Sequence, residues 1–116
     1  MQAVLITDAI DSFLTVLAVE KGHSPHTCRA YGRDLNEFAR FADATPDQPT
    51  EASRDSVSFT VDRIDQLLIR GYLAFLHGKN SRATISRKLS ALRSFCRYLI
   101  SMETLKDNPA EHILTP

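Results

Sequence analysis

Apolar residues recur three and four apart along four segments of this chain, and that period admits helices and little else. In the first segment Ile10, Phe13, Leu14, Leu17 and Ala18 share a stripe. Thr7 or Asp8 is the expected cap, the helix should run to about Lys21, and Gly22 is its expected stop. The second segment opens on "SPHT". Ser24 can cap and Pro25 suits the first helical position, where its missing N–H costs nothing. Cys28, Tyr31, Leu35, Phe38, Ala39 and Ala42 form its apolar arc, while His26, Arg29, Arg33 and Arg40 lie on another.

A third helix is expected to begin between Val61 and Asp65 and end near His77, burying Ile64, Leu67, Leu68, Tyr72, Phe75 and Leu76. Gly71 in its interior either marks a close helix crossing or is simply tolerated, at a cost of about 1 kcal/mol against Ala. The fourth helix follows Gly78, with Asn80 or Ser81 as cap. Ile85, Leu89, Leu92, Cys96 and Leu99 form its apolar arc, with Phe95 at the edge. Arg82, Ser86, Ser90, Arg93 and Arg97 fall on the neighbouring arc, which Arg87 and Ser94 continue. Lys88 projects toward the apolar side, where it must either snorkel to water or meet an acid. Residues 43–60 read as a connection broken by Pro46 and Pro49, with a short strand or turn at 57–60. A last short helix is expected over 109–114, after "DN" as cap.

Charge is the second constraint. The chain carries 14 basic and 14 acidic residues and has formal net charge zero. The two signs are nevertheless segregated. Residues 1–20 hold three acids and no base, 43–66 hold six acids and two bases, and 67–100 hold seven bases and no acid. Screening beyond about 8 Å makes local charge, rather than the total, the field that a partner meets. A polyanion partner is therefore compatible with a neutral chain.

Several function classes find no support. At 116 residues the expectation is one domain, 1–116. No apolar run approaches the ~18 residues of a membrane span, and the start "MQAVLITDAIDSF" lacks a signal peptide's basic opening and cleavage site. Cys28 and Cys96 make neither a disulfide framework nor a zinc pattern. A reducing, cytoplasmic setting is expected, with both thiols packed in cores. The four histidines show no metal-ligand spacing. No catalytic constellation, cofactor motif, metal site or small-molecule substrate is expected.

Two helices with a basic, hydroxyl-bearing face opposite an apolar one suit a major-groove reader. Arginine pairs bidentately with guanine, and Ser/Thr hydroxyls reach phosphate or base edges. One Arg-rich face is ordinarily just a solvated face. Two such faces, one of them in an acid-free stretch, favour double-stranded DNA as partner. The candidate contacts are His26, Thr27, Arg29, Arg33, Arg82, Thr84, Ser86, Arg87, Ser90, Arg93 and Arg97. The alternatives are a helical module binding an acidic protein, an enzyme with an unrecognised site, and a stand-alone DNA-binding regulator.

The order "SPHTCRAYGRDLNEFARFA", "IRGYLAFLHGKNSRATISRKLSALRSFCRYL", "DNPAEHILTP" resembles the N-terminal core-binding domain of tyrosine recombinases, the phage-integrase and Xer-type enzymes, from about Asp8 to Pro116. The 43–60 connection is longer than in close relatives and matches poorly. The resemblance implies an all-α, SAM-like bundle of four to five helices arranged as two crossed antiparallel pairs. It also implies one jaw of a clamp on duplex DNA, with helices 25–41 and 81–100 at the major grooves and other recombinase protomers as further partners. The family's catalytic tyrosine, arginines and lysine belong to a separate C-terminal domain. Tyr31, Tyr72 and Tyr98 do not match the nucleophile's surroundings, so no catalytic residue is carried over.

Overall fold

Among the described residues four α-helices form: α1 (Ile6–Val19), α2 (Pro25–Asp43), α3 (Gln66–Leu76) and α4 (Arg82–Ser101). The computed structural model describes residues 3–44 and 57–113, and no strand element occurs among them, so the fold is all-α. The chain divides into two compact units, Met1–Val61 and Asp62–Pro116, the first holding α1 and α2 and the second α3 and α4.

In the first unit the short link after α1 turns α2 back along it. Phe13 and Tyr31 lie equally far from that link, and their rings meet edge to face at 5.9 Å. Close approach is helped by Gly32, where a Cβ would sit 3.1 Å from Leu14 Cδ1. α1 buries Ile6, Ala9, Ile10, Phe13 and Leu17; Ala18, placed on the stripe by sequence, is exposed. α2 buries Leu35, Phe38 and Ala39, and also Asp34.

The start of α1 departs from the sequence expectation. Its cap position is Leu5, with no side-chain hydrogen bond, and neither Thr7 nor Asp8 caps. The reason lies far away in sequence. Ile6 N–H donates to the Phe59 carbonyl at 2.9 Å, and Val61 N–H donates to the Val4 carbonyl at 2.9 Å. These bonds flank an isolated antiparallel bridge between Leu5 and Thr60. At 57–60, where a short strand or turn is expected, Thr60 forms this single bridge and no strand or turn element forms, while Val57, Phe59 and Val61 are buried. The end of α2 is tied to the same segment: Asp43 Oδ1 accepts from Ser58 N–H at 3.0 Å and from the Ser58 hydroxyl at 3.3 Å. Pro46, Pro49 and the rest of the expected connection at 45–56 lie outside the described residues.

In the second unit Asp65 caps α3, its Oδ1 accepting from Leu68 N–H at 2.8 Å. Ile69, Tyr72 and Leu76 are buried, whereas Leu67, expected inside, is 79% exposed. Ile64 is buried just ahead of the helix, and Leu68 and Phe75 are half-buried. Around Gly71 a Cβ would meet nothing within 4 Å, so that glycine marks no close crossing. A type II turn leads out of α3: His77 has φ −63 and ψ 128, Gly78 has φ 88, and Lys79 N–H donates to the Leu76 carbonyl at 3.0 Å. Gly78 supplies the positive φ that this turn requires.

Ser81 caps α4, which buries Ile85, Leu89, Leu92, Phe95, Cys96 and Leu99 as expected, together with Ala91 and Lys88. Beyond α4 the expected helix at 109–114 is absent among the described residues; 109–112 form turns. Asn108 Oδ1 accepts from Ala110 N–H at 2.9 Å, and Arg93 takes the Ala110 and Ile113 carbonyls. Asn108 thus makes a cap-like bond, but the segment that follows it continues as turns held by Arg93. Leu114, the last residue of that expected helix, lies outside the described residues.

Candidate nucleic-acid interface

The two helices with basic faces begin with the same local device, S-x-x-T. At α2 the Ser24 hydroxyl accepts from Thr27 N–H at 3.1 Å and donates to Thr27 Oγ1 at 3.1 Å. At α4 the Ser81 hydroxyl accepts from Thr84 N–H at 3.2 Å and donates to Thr84 Oγ1 at 3.1 Å. Each serine satisfies an end N–H that has no intrahelical partner. Each threonine hydroxyl accepts in that exchange and keeps its own O–H to donate. Thr27 and Thr84 are both half-buried.

On α2, His26, Arg29 and Arg33 are exposed, while Arg40, near the far end, is half-buried. On α4, Arg82, Arg87, Ser90 and Arg97 are exposed and Ser86 is half-buried. Arg97 Nη2 donates to Ser94 Oγ at 3.2 Å, which fixes its head along the helix without removing it from water. Two of the five cations of "NSRATISRKLSALRSFCRYL" are placed differently. Lys88 is 6% exposed, enclosed in the apolar face of α4 rather than extended into water. Arg93 is half-buried, with Nε donating to the Ala110 carbonyl at 3.0 Å and Nη2 donating to that of Ile113. The open face expected to carry Arg93 is therefore formed by its neighbours, because a carbonyl-rich segment lies within reach of this one guanidinium.

Sequence reasoning passed over Asp34, which is 5% exposed on the apolar side of α2. The signal was available: Asp34 is three residues after Tyr31 and four before Phe38, in phase with both. No buried side-chain nitrogen or oxygen among the described residues lacks a hydrogen-bond partner, so Asp34 and Lys88 are both satisfied.

The thiols differ in setting. Burial pushes the Cys96 thiol up to about 12, against an opposing pull from the Arg97 charge. A thiol so protonated and enclosed is a poor nucleophile. Cys28 is half-buried, with its Sγ 3.9 Å from the His23 carbonyl. Among the described residues no group of three or more His, Cys, Asp or Glu could hold a metal ion, and no helix is long and apolar enough to cross a membrane.

The family described as phage integrase, N-terminal SAM-like domain, matches residues 10–103. The chain is 39% identical over 111 residues to the tyrosine recombinase XerC of Pelobacter propionicus, covering 96% of this chain and 34% of that protein. It is 40% identical over 103 residues to XerC of Thermodesulfovibrio yellowstonii, covering 87% of this chain and 29% of that protein. To the tyrosine recombinase XerD of Oceanobacillus iheyensis it is 36% identical over 109 residues, covering 93% of this chain and 33% of that protein. The chain thus spans about a third of the length of these curated relatives. No solved structure gives a significant match. Four α-helices, two of them opening on S-x-x-T caps, and a match across residues 10–103 make this chain a member of the phage-integrase N-terminal SAM-like domain family.

Proposed function

We propose that this chain holds duplex DNA for a site-specific tyrosine recombinase, through the basic faces of α2 and α4. The observation that carries the reading is the exposure of Arg82, Arg87 and Arg97 on α4, within a stretch (67–100) that contains no acid. Arg29 and Arg33 on α2 supply the second set of cations, with His26 beside them. Ser86, Ser90, Thr27 and Thr84 supply hydroxyl donors for phosphate or base edges. The chain contributes position and affinity, and the cutting chemistry resides elsewhere in a full-length recombinase. Its other partners are further recombinase protomers on the same DNA, and its setting is the cytoplasm.

The test is a fluorescence-anisotropy titration of labelled duplex across a salt series. If about four cations neutralise phosphates, log K falls with log salt at a slope of roughly −3.6. Arg29→Ala and Arg87→Ala should each weaken binding and reduce the slope by about 0.9, with helix content by circular dichroism unchanged. A flat salt response, or unchanged affinity in both variants, would leave the same cations to an acidic protein partner.

A further inference from the structure

Arg93 stands apart from the other arginines of α4. It is half-buried where Arg82, Arg87 and Arg97 are exposed. Its guanidinium is engaged twice by one short segment: Nε donates to the Ala110 carbonyl at 3.0 Å, and Nη2 donates to the Ile113 carbonyl. The main chain of the same residue takes part as well, since the Asn108 side-chain amide donates to the Arg93 carbonyl at 3.3 Å. Asn108 then closes on its own segment, its Oδ1 accepting from Ala110 N–H at 2.9 Å and its carbonyl accepting from Glu111 N–H at 3.2 Å. Ala110 and Ile113 are buried, so the carbonyls that Arg93 reaches belong to a docked strap rather than a loose tail.

The chemistry is specific to arginine. A planar fork offers two donors at fixed separation to two acceptors, and the positive charge strengthens both bonds. A lysine keeps the charge but offers a point rather than a fork. A guanidinium spanning two carbonyls keeps further N–H donors but is fixed in place, and turning it toward a phosphate would strand acceptors in a partly buried site.

We propose that Arg93 is a positioning residue that fixes the segment 108–113 against α4, and that it stands outside the set of cations that neutralise DNA phosphates. The second clause rests on the DNA-binding reading above; the first does not.

The test uses the whole 116-residue chain and reads hydrogen exchange and duplex binding side by side. Arg93→Lys, Arg93→Gln and Asn108→Ala should each speed exchange at the amides of Ala110, Glu111 and Ile113 by about tenfold or more, while the slow amides of α3 keep their protection. The lysine variant is decisive here, because charge is kept and only the fork is lost. In a salt titration with random-sequence duplex, Arg93→Gln should keep the parent's slope, whereas Arg87→Gln should lose about 0.9. Unchanged protection at 110–113 in Arg93→Lys would overturn the positioning role. A slope loss of about 0.9 in Arg93→Gln with protection intact would return Arg93 to the phosphate set. Should Arg93→Gln fail to fold, Arg93→Lys and Asn108→Ala decide the positioning role by exchange. If the parent binds no duplex, the DNA-binding reading fails while the exchange measurement still judges the strap.

Discussion

Cys96 ties the stability of the fold to alkaline pH. Its ordinary value is 9.0, and burial raises the folded value to about 12. The unfolded chain therefore begins to lose this proton near pH 9, while the folded chain keeps it. Between those values the unfolded state binds fewer protons, so stability falls as pH rises, by up to about 1.4 kcal/mol per pH unit, and below pH 9 the contribution is complete. Urea midpoints of the parent should decline more steeply from pH 9 to 11 than those of Cys96→Ala; parallel declines would show that the thiol is not buried as described. Two residues of α3 make a similar contrast. Ile69→Ala should cost about 2–5 kcal/mol, while Leu67→Ser should change stability by less than about 0.5 kcal/mol. Equal effects in denaturant titrations would refute the observed phase of that helix. The sequence reading placed Leu67 inside and passed over Ile69, because "LLI" offers three neighbouring apolar residues and a one-residue shift changes which are buried. The face that packs is selected by tertiary contact, which pattern along three adjacent apolar residues does not reveal.

Element ends were legible where the partner was local. Ser24, Pro25, Ser81 and Gly22 all act where their spacing put them, because caps and stops bond within a few residues. The start of α1 and the turns at 109–112 were not legible: Asn108 bonds locally to Ala110 and Glu111, but Phe59 and Arg93 also hold these segments, and pattern along the chain cannot pair them. Two helix ends invite a direct comparison. After α1, His23 N–H donates to the Leu17 carbonyl at 2.9 Å, with Gly22 at φ 67. After α4, Thr104 N–H donates to the Leu99 carbonyl at 2.9 Å, with Glu103 at φ 60. The closing bond spans six residues after α1 and five after α4, but both ends place a left-handed residue just before the closing donor, and there glutamate bears a penalty of roughly 1–2 kcal/mol that glycine avoids. Glu103→Gly should raise stability by about 1 kcal/mol in thermal unfolding, and Gly22→Glu should lower it by a similar amount. A destabilised Glu103→Gly would mean that the carboxylate itself makes a contact worth more than the strain.

At the scale of the whole molecule, acids and bases cancel in number but not in place. A domain of zero net charge has little long-range pull on DNA, while its basic faces act within a screening length of about 8 Å. Salt should therefore act on the two rate constants unequally. Between 50 and 200 mM salt, stopped-flow association with duplex should slow by less than about threefold, and dissociation should carry most of the change in affinity. An association rate that collapsed with salt would mean that the basic faces steer from beyond the screening length. The bracket between Asp43 and Ser58 has a different consequence. Its partners are 15 residues apart in sequence, yet two hydrogen bonds to one carboxylate oxygen hold them together. One carboxylate therefore couples the last turn of α2 to the segment that bridges back to Leu5 at the start of α1. A disturbance at the end of α2 is thus passed to the beginning of α1 through a single side chain, which makes Asp43 a latch between two helix ends remote in sequence.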